Sequence, residues 1–298
     1  MIGILLEARI QTGRAKRALW VMWAVATALA VLAAAPVVAS LSRYFGHSRM
    51  ATRLTLEFDP AAAMEWIRHG LGELPVAMMA LLAGVVLAMV AASAFVSGGA
   101  LAQLAGRGGF WQGGGQFFWR FLRLAVFAGI FYMTAVSLVA WAAGGVDHWF
   151  RGSMEEWPSA VVKTSLDALA LLLVWVIAVG FDYAKVRMVV DGTRSAAVAG
   201  FAGLGFVLRH AWRTLAPAAF IALCGAVLFG FYQTAYNVFD YRGLRTILIT
   251  IAGQQLYLVL RLWLRLWHWS ACLRIDVAVR RPASPWALAE PEPYGDNI

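Results

Sequence analysis

Six long apolar runs, at about residues 18–41, 75–97, 121–143, 164–187, 215–236 and 246–268, dominate this chain. Each is long enough for a helix to cross a hydrocarbon layer, which is about 30 Å thick and takes about 20 residues. A chain of 298 residues cannot hide six such runs in a water-soluble globule, because a globule needs a polar skin. The composition provides too little of one. Only 14% of the residues are charged, against about 25% in a soluble domain, and the mean hydropathy is +0.69. Disorder, collagen and a cytosolic enzyme are excluded on the same count. The expected fold is all-α: a polytopic integral membrane bundle of six transmembrane helices, with cytoplasmic interfacial amphipathic helices.

The formal charge of +9 comes from 25 Lys and Arg against 16 Asp and Glu. The basic residues cluster at the ends of the apolar runs, so they read as orientation signals and contacts to anionic lipid headgroups, not as a nucleic-acid surface. One side of the membrane would hold fifteen of them and the other eight, with Arg261 and Arg265 inside the sixth run left out of the count. That asymmetry places both termini in the cytoplasm, as an even number of spans requires. Arg9, Arg14, Lys16 and Arg17 precede the first run as in a signal peptide. That run exceeds a signal h-region, however, and Pro36 follows its only small-residue cluster, so it reads as a retained anchor. The localisation expected is a bacterial inner membrane.

Residues 1–281 form one transmembrane domain, and the Pro-rich segment 282–298 reads as a disordered cytoplasmic tail. Pro60 opens a short helix over residues 60–69 in the first outer loop. The segments 107–120 and 200–214, rich in Gly, Arg, Phe and Trp, should lie along the cytoplasmic headgroups. They suggest a repeat of three units, each an interfacial helix followed by a transmembrane hairpin, with residues 4–17 opening the first. Small residues recur every fourth position at Ala26, Ala30 and Ala34, at Ala80, Gly84, Ala88 and Ala92, and at Ala218, Ala222, Ala226 and Gly230. Such stripes allow helix backbones to approach closely.

Little in the sequence points to catalysis. The glycine-rich stretches 106–115 and 200–205 lack a P-loop lysine and a βαβ context, and read as flexible or closely packed lead-ins. His47, His69, His148, His210 and His268 are isolated, so no metal site and no cofactor is expected. Cys224 and Cys272 read as small packed hydrophobes. The sixth run differs. Thr250, Gln254, Tyr257, Arg261, Arg265 and His268 follow at intervals of 4, 3, 4, 4 and 3 residues, which is one helical face. A charge at mid-membrane costs about 2.5–3.5 kcal/mol even on the lenient insertion scale, so this face should look into the bundle or a wet cavity, or its arginines should snorkel to the cytoplasmic surface. Asp182 in the fourth run lies at a similar height. Asp182, Arg261, Arg265, Gln254 and Tyr257 are therefore the candidate intramembrane polar network, with an Asp182–arginine pair joining spans four and six. Lys185 is a local alternative partner.

Four segments carry a resemblance: Gly113 to Leu124, Asp182 to Asp191, Phe206 to His210, and Gln254 to Arg265. Together they resemble a group of uncharacterised bacterial six-span proteins, distantly similar to the membrane domain fused to glycerophosphodiester phosphodiesterases. The resemblance spans about residues 95–275. It implies a six-helix inner-membrane bundle with amphipathic cytoplasmic segments, and no activity. The strand–helix alternation of the phosphodiesterase barrel is absent, so its catalysis does not carry over.

The first function expected is a non-catalytic scaffold, assembly or lipid-organising component, in contact with membrane lipids including anionic headgroups and with a possible protein partner in the membrane. The second is a small transporter or channel with a pathway along the polar face of the sixth span, and a lipid-headgroup enzyme ranks third. Reporter fusions after residues 60, 150 and 241 should behave as periplasmic, and those after 110, 195 and 290 as cytoplasmic. A periplasmic C-terminus would overturn the span count.

Overall fold

The computed structural model describes residues 2–45, 76–149, 157–238 and 244–280. The described residues form eight helices and no strand: α1 (Ile2–Arg14), α2 (Lys16–Phe45), α3 (Val76–Leu104), α4 (Phe110–Trp149), α5 (Trp157–Val190), α6 (Ala196–Arg209), α7 (Ala211–Val238) and α8 (Leu244–Arg280). Six of them, all but α1 and α6, are long and apolar enough to cross a membrane. The chain is an all-α, multi-pass membrane protein. The helix expected over 60–69 and the tail 282–298 lie outside the described residues.

The helices outrun the bilayer. At 1.5 Å per residue, the 40 residues of α4 reach about 60 Å, twice the hydrocarbon thickness. This changes one expectation. The segment 107–120 is not a separate interfacial piece, because residues 110–120 are the first turns of α4 itself. Its counterpart α6 is a distinct helix. Ser195 caps its start, accepting a hydrogen bond from Val198 N, and the backbone breaks from helical geometry at His210. Thr214 Oγ1 faces carbonyls at that break, 3.1 Å from His210 O and 3.2 Å from Ala211 O. Helix α1 is likewise separate from α2, with a turn at Ala15. Two of the three supposed repeat units therefore begin with a free-standing helix, and the middle one does not.

Packing is concentrated at one end of the bundle. Leu101 near the end of α3, Phe121 near the start of α4, Tyr183 and Val186 near the end of α5, Val207 on α6, and Leu266 and Trp269 on α8 are all buried in one cluster. Two glycine seams permit this density. A Cβ on Gly99 would stand 2.5 Å from Phe110 O, and one on Gly113 would collide with Ala102, so α3 and α4 touch backbone to side chain. A Cβ on Gly180 would stand 2.5 Å from Leu204 Cδ2, and one on Gly203 would collide with the Gly180 carbonyl, so α5 and α6 do the same. Between α3 and α4 the chain turns through Gly106 at φ +67°, a conformation that suits glycine.

At the other end the helices stand apart. Met133, Trp141, Leu171 and Phe231 are exposed there, as side chains facing hydrocarbon should be. Apart from Ala218, which is buried in the cluster at the closed end, the small-residue stripes do not make the close contacts expected of them. Gly84 and Gly230 have no neighbour within 4 Å of a notional Cβ, and Ala30, Ala34, Ala80 and Ala88 are exposed. The glycines that bring backbones together sit instead at the closed end, Gly113 and Gly203 in the lead-in stretches and Gly99 and Gly180 near the ends of α3 and α5.

Gly203→Val should cost about 1–3 kcal/mol, the usual penalty for overpacking. Gly84→Ala should leave stability unchanged or slightly raised. Thermal unfolding in detergent compares them, and equal tolerance of both would contradict the seam.

Candidate functional site

Asp182 lies in the last turns of α5, two residues beyond Gly180, where the α5–α6 seam fixes that helix. Its carboxylate is fully engaged. Oδ1 accepts from Lys185 Nζ at 2.8 Å and from Trp269 Nε1 at 3.2 Å. Oδ2 lies 3.4 Å from His268 Nε2, an ion pair whenever the imidazole is protonated. The same ring nitrogen is 3.6 Å from Cys272 Sγ. The carboxylate thus ties α5 to α8, but not through the arginines. The expected pair between Asp182 and Arg261 or Arg265 is not formed, and the local Lys185 pair is. The physical reason is reach and competition. The Lys185 ammonium stands one turn away on the same helix, and the buried Trp269 indole needs an acceptor.

The two arginines look elsewhere. Arg261 Nη1 points to Tyr257 Oη at 3.5 Å, a long hydrogen bond. Tyr257 itself stacks on Tyr232 of α7, centroids 4.8 Å apart. The Arg265 guanidinium lies 5.1 Å from the centre of the Trp269 ring, a cation–π contact that does not consume its N–H donors. Among the described residues neither arginine has a carboxylate within ion-pair range.

Arg261, Arg265, His268 and Asp182 line a cleft between α5, α7 and α8 with a volume of about 530 Å³. Its other walls include Trp175, Ala218, Ile221 and Leu262. A second hollow of about 430 Å³, lined by Phe229 and Tyr257, shares Ala222, Gly225 and Arg261 with the first. The part of the α7 stripe around Ala222 and Gly225 therefore borders open space; a Cβ on Gly225 would meet only Leu264 Cδ1, at 3.9 Å. Asp182 is the one carboxylate on the cleft and is shared among Lys185, His268 and, at longer range, Arg265, so positive charge is in excess there.

Of the residues singled out in the sequence, Asp182, Arg261, Arg265 and Tyr257 gather on or beside this cleft. Gln254 does not; it lines neither hollow. Its neighbour Gln255 does the bridging, accepting from Trp23 Nε1 at 2.8 Å and Thr27 Oγ1 at 3.4 Å on α2. Trp269 and Gln255 carried no sequence signal that separates them from the many other aromatic and polar positions near span ends.

A second polar layer closes the base below the cleft. The wholly buried Asp276 of α8 pairs with Arg187 of α5 and Arg280, and Arg280 also reaches Asp191 at 2.6 Å. Helix α1 is clamped to α8 by Glu7–Arg274, by Gln11 accepting from Ser270 and Arg274, and by Trp267 Nε1 donating to Leu5 O at 2.9 Å. These contacts use up Glu7, Asp191 and Asp276, so none of them is left to neutralise the cleft. Among the described residues no three His, Cys, Asp or Glu side chains are grouped to hold a metal ion.

Asp182→Ala should destabilise the protein by about 3–5 kcal/mol, because it leaves Lys185 and His268 facing no carboxylate. Adding Arg261→Ala should cost only its own separate increment, within about 0.5 kcal/mol. Adding His268→Ala should cost less than the sum of the two single losses. Thermal unfolding of the four variants reads this; strong coupling to Arg261 would refute the geometry.

Known protein families, curated proteins and solved structures all fail to match this chain.

Proposed function

We propose that the protein is a non-catalytic component of a bacterial inner membrane that binds and organises anionic lipid, with both termini in the cytoplasm. The observation that supports this reading best is the surface of the closed end. Trp111, Trp119 and Trp212 are exposed there. Interleaved with them are exposed Arg123, Arg194, Arg209 and Arg213, which have no carboxylate partner among the described residues. Indole rings favour the headgroup level, and each basic residue near an anionic surface contributes about 1 kcal/mol. A compact base studded with both would rest on the inner leaflet and gather acidic headgroups around itself. A protein partner within the membrane fits the same reading.

A second reading, a small transporter or channel, draws on the cleft, where Tyr257, Arg261, Arg265 and His268 of α8 line an intramembrane hollow. Flux separates the two. Proteoliposomes should hold a trapped anion as tightly as protein-free vesicles if the protein only organises lipid.

Purified protein exchanged into mixed phosphatidylglycerol and phosphatidylcholine should carry an annulus enriched in phosphatidylglycerol. The combined change Arg123→Gln, Arg209→Gln and Arg213→Gln should reduce that enrichment severalfold, read by lipid analysis of the purified particles. An annulus of bulk composition in the unaltered protein would refute the proposal.

A further inference from the structure

We infer that the cleft between α5, α7 and α8 is a discrete site for one phosphate-type oxyanion, held between Arg261 and Arg265. The inference deepens the lipid-binding proposal and rests on it for the lipid as the source of that anion.

An arginine within the hydrocarbon layer is costly unless it is paired, hydrated or drawn to the surface. Here the one carboxylate on the cleft is already engaged by Lys185, Trp269 and His268. Helix α7 contributes only Ala218, Ile221, Ala222 and Gly225 to that hollow, so no counter-charge comes from that side. Arg265 lies within electrostatic range of Asp182, but a single carboxylate cannot offset Lys185 and both arginines.

Arg261 and Arg265 are one turn apart on one face of α8, about 6 Å along the axis. The two heads reach apart along the axis, Arg261 toward Tyr257 and Arg265 toward Trp269. Both contacts are weak, one a long hydrogen bond and one a cation–π contact, and leave most guanidinium donors free. An oxyanion in the cleft therefore draws both forks inward, each offering it paired N–H donors.

The hollow of about 530 Å³ is within the range of small-molecule sites, about 300–1,000 Å³. The adjoining hollow continues from Arg261 past Phe229 and Leu228, an apolar wall suited to an acyl chain. A cationic head site opening onto an apolar wall matches a lipid with one net negative charge at its phosphate. It does not match a zwitterionic lipid, whose own ammonium would face the arginines.

Native mass spectrometry of the full chain in detergent tests this with three probes: phosphatidylglycerol, phosphatidylcholine and inorganic phosphate. One phosphatidylglycerol should be retained above the statistical background, and phosphatidylcholine should not. Arg261→Gln combined with Arg265→Gln should weaken that retention about tenfold or more. The belt changes at Arg123, Arg209 and Arg213 should leave it intact. Ala222→Phe, which keeps both arginines and fills the hollow, should abolish it as well, and serves if the double variant fails to fold. Saturable uptake of inorganic phosphate, lost in the same variants and with no lipid retained, would support the oxyanion site with a soluble source and remove its link to lipid. Retention unchanged in the cleft variants but reduced in the belt variants would overturn the site while leaving the lipid-organising proposal standing. No selective retention of any probe would overturn the site outright.

Discussion

The carboxylate of Asp182 can neutralise only what surrounds it, and in this protein it is surrounded by Lys185, His268 and Trp269. In water that choice would matter little. Inside an apolar bundle each ionised group must find a partner, because solvent is not there to supply one. The engagement of Asp182 therefore fixes two things at once. It joins the end of α5 to α8 at the level where the bundle is densest, and it leaves Arg261 and Arg265 facing an open cleft with no carboxylate to meet.

Around that joint the molecule divides into a tight base and loosely spaced arms. The base is tight because side chains are missing where backbones meet, at Gly99 and Gly113 and again at Gly180 and Gly203. It is polar where it must be, with Asp276, Arg187 and Arg280 in one ion-pair group and Glu7, Gln11 and Arg274 in another. The arms present large apolar side chains outward, which costs nothing against hydrocarbon. Without a hydrophobic drive between lipid-facing helices, only specific contacts hold spans together. Those contacts are gathered at one end, and the cleft lies between helices that diverge from it.

The all-helical, multi-pass architecture was legible in the sequence because it follows from apolar length, which needs no knowledge of packing. The helical face of α8 was legible too, since Tyr257, Arg261, Arg265 and His268 obey a simple period. Partner choice was not. Asp182 and the two arginines lie at compatible heights, and height alone does not show that a lysine one turn away and a buried indole will take the carboxylate first. The small-residue stripes misled for a related reason. In an alanine-rich chain, spacing by four arises on lipid-facing surfaces as readily as on packed ones, as Gly84 and Gly230 show. The glycines that do pack, Gly113 and Gly203, sit in stretches whose sequence is equally consistent with flexible linkers. Gln254 and Gln255 are neighbours, and only the helix rotation set by α2 decides which one faces protein.

An anion site at Arg261 and Arg265 requires the cleft beside them to be open and wet. Substituted-cysteine accessibility measures it directly. In nanodiscs, with Cys224 and Cys272 first replaced by serine and alanine, Ala222→Cys and Gly225→Cys should react with a charged, membrane-impermeant thiol reagent. Gly84→Cys, which has no neighbour within 4 Å and looks onto hydrocarbon, should not. Inert thiols at both 222 and 225 would mean that the space is closed or dry, and would contradict the account.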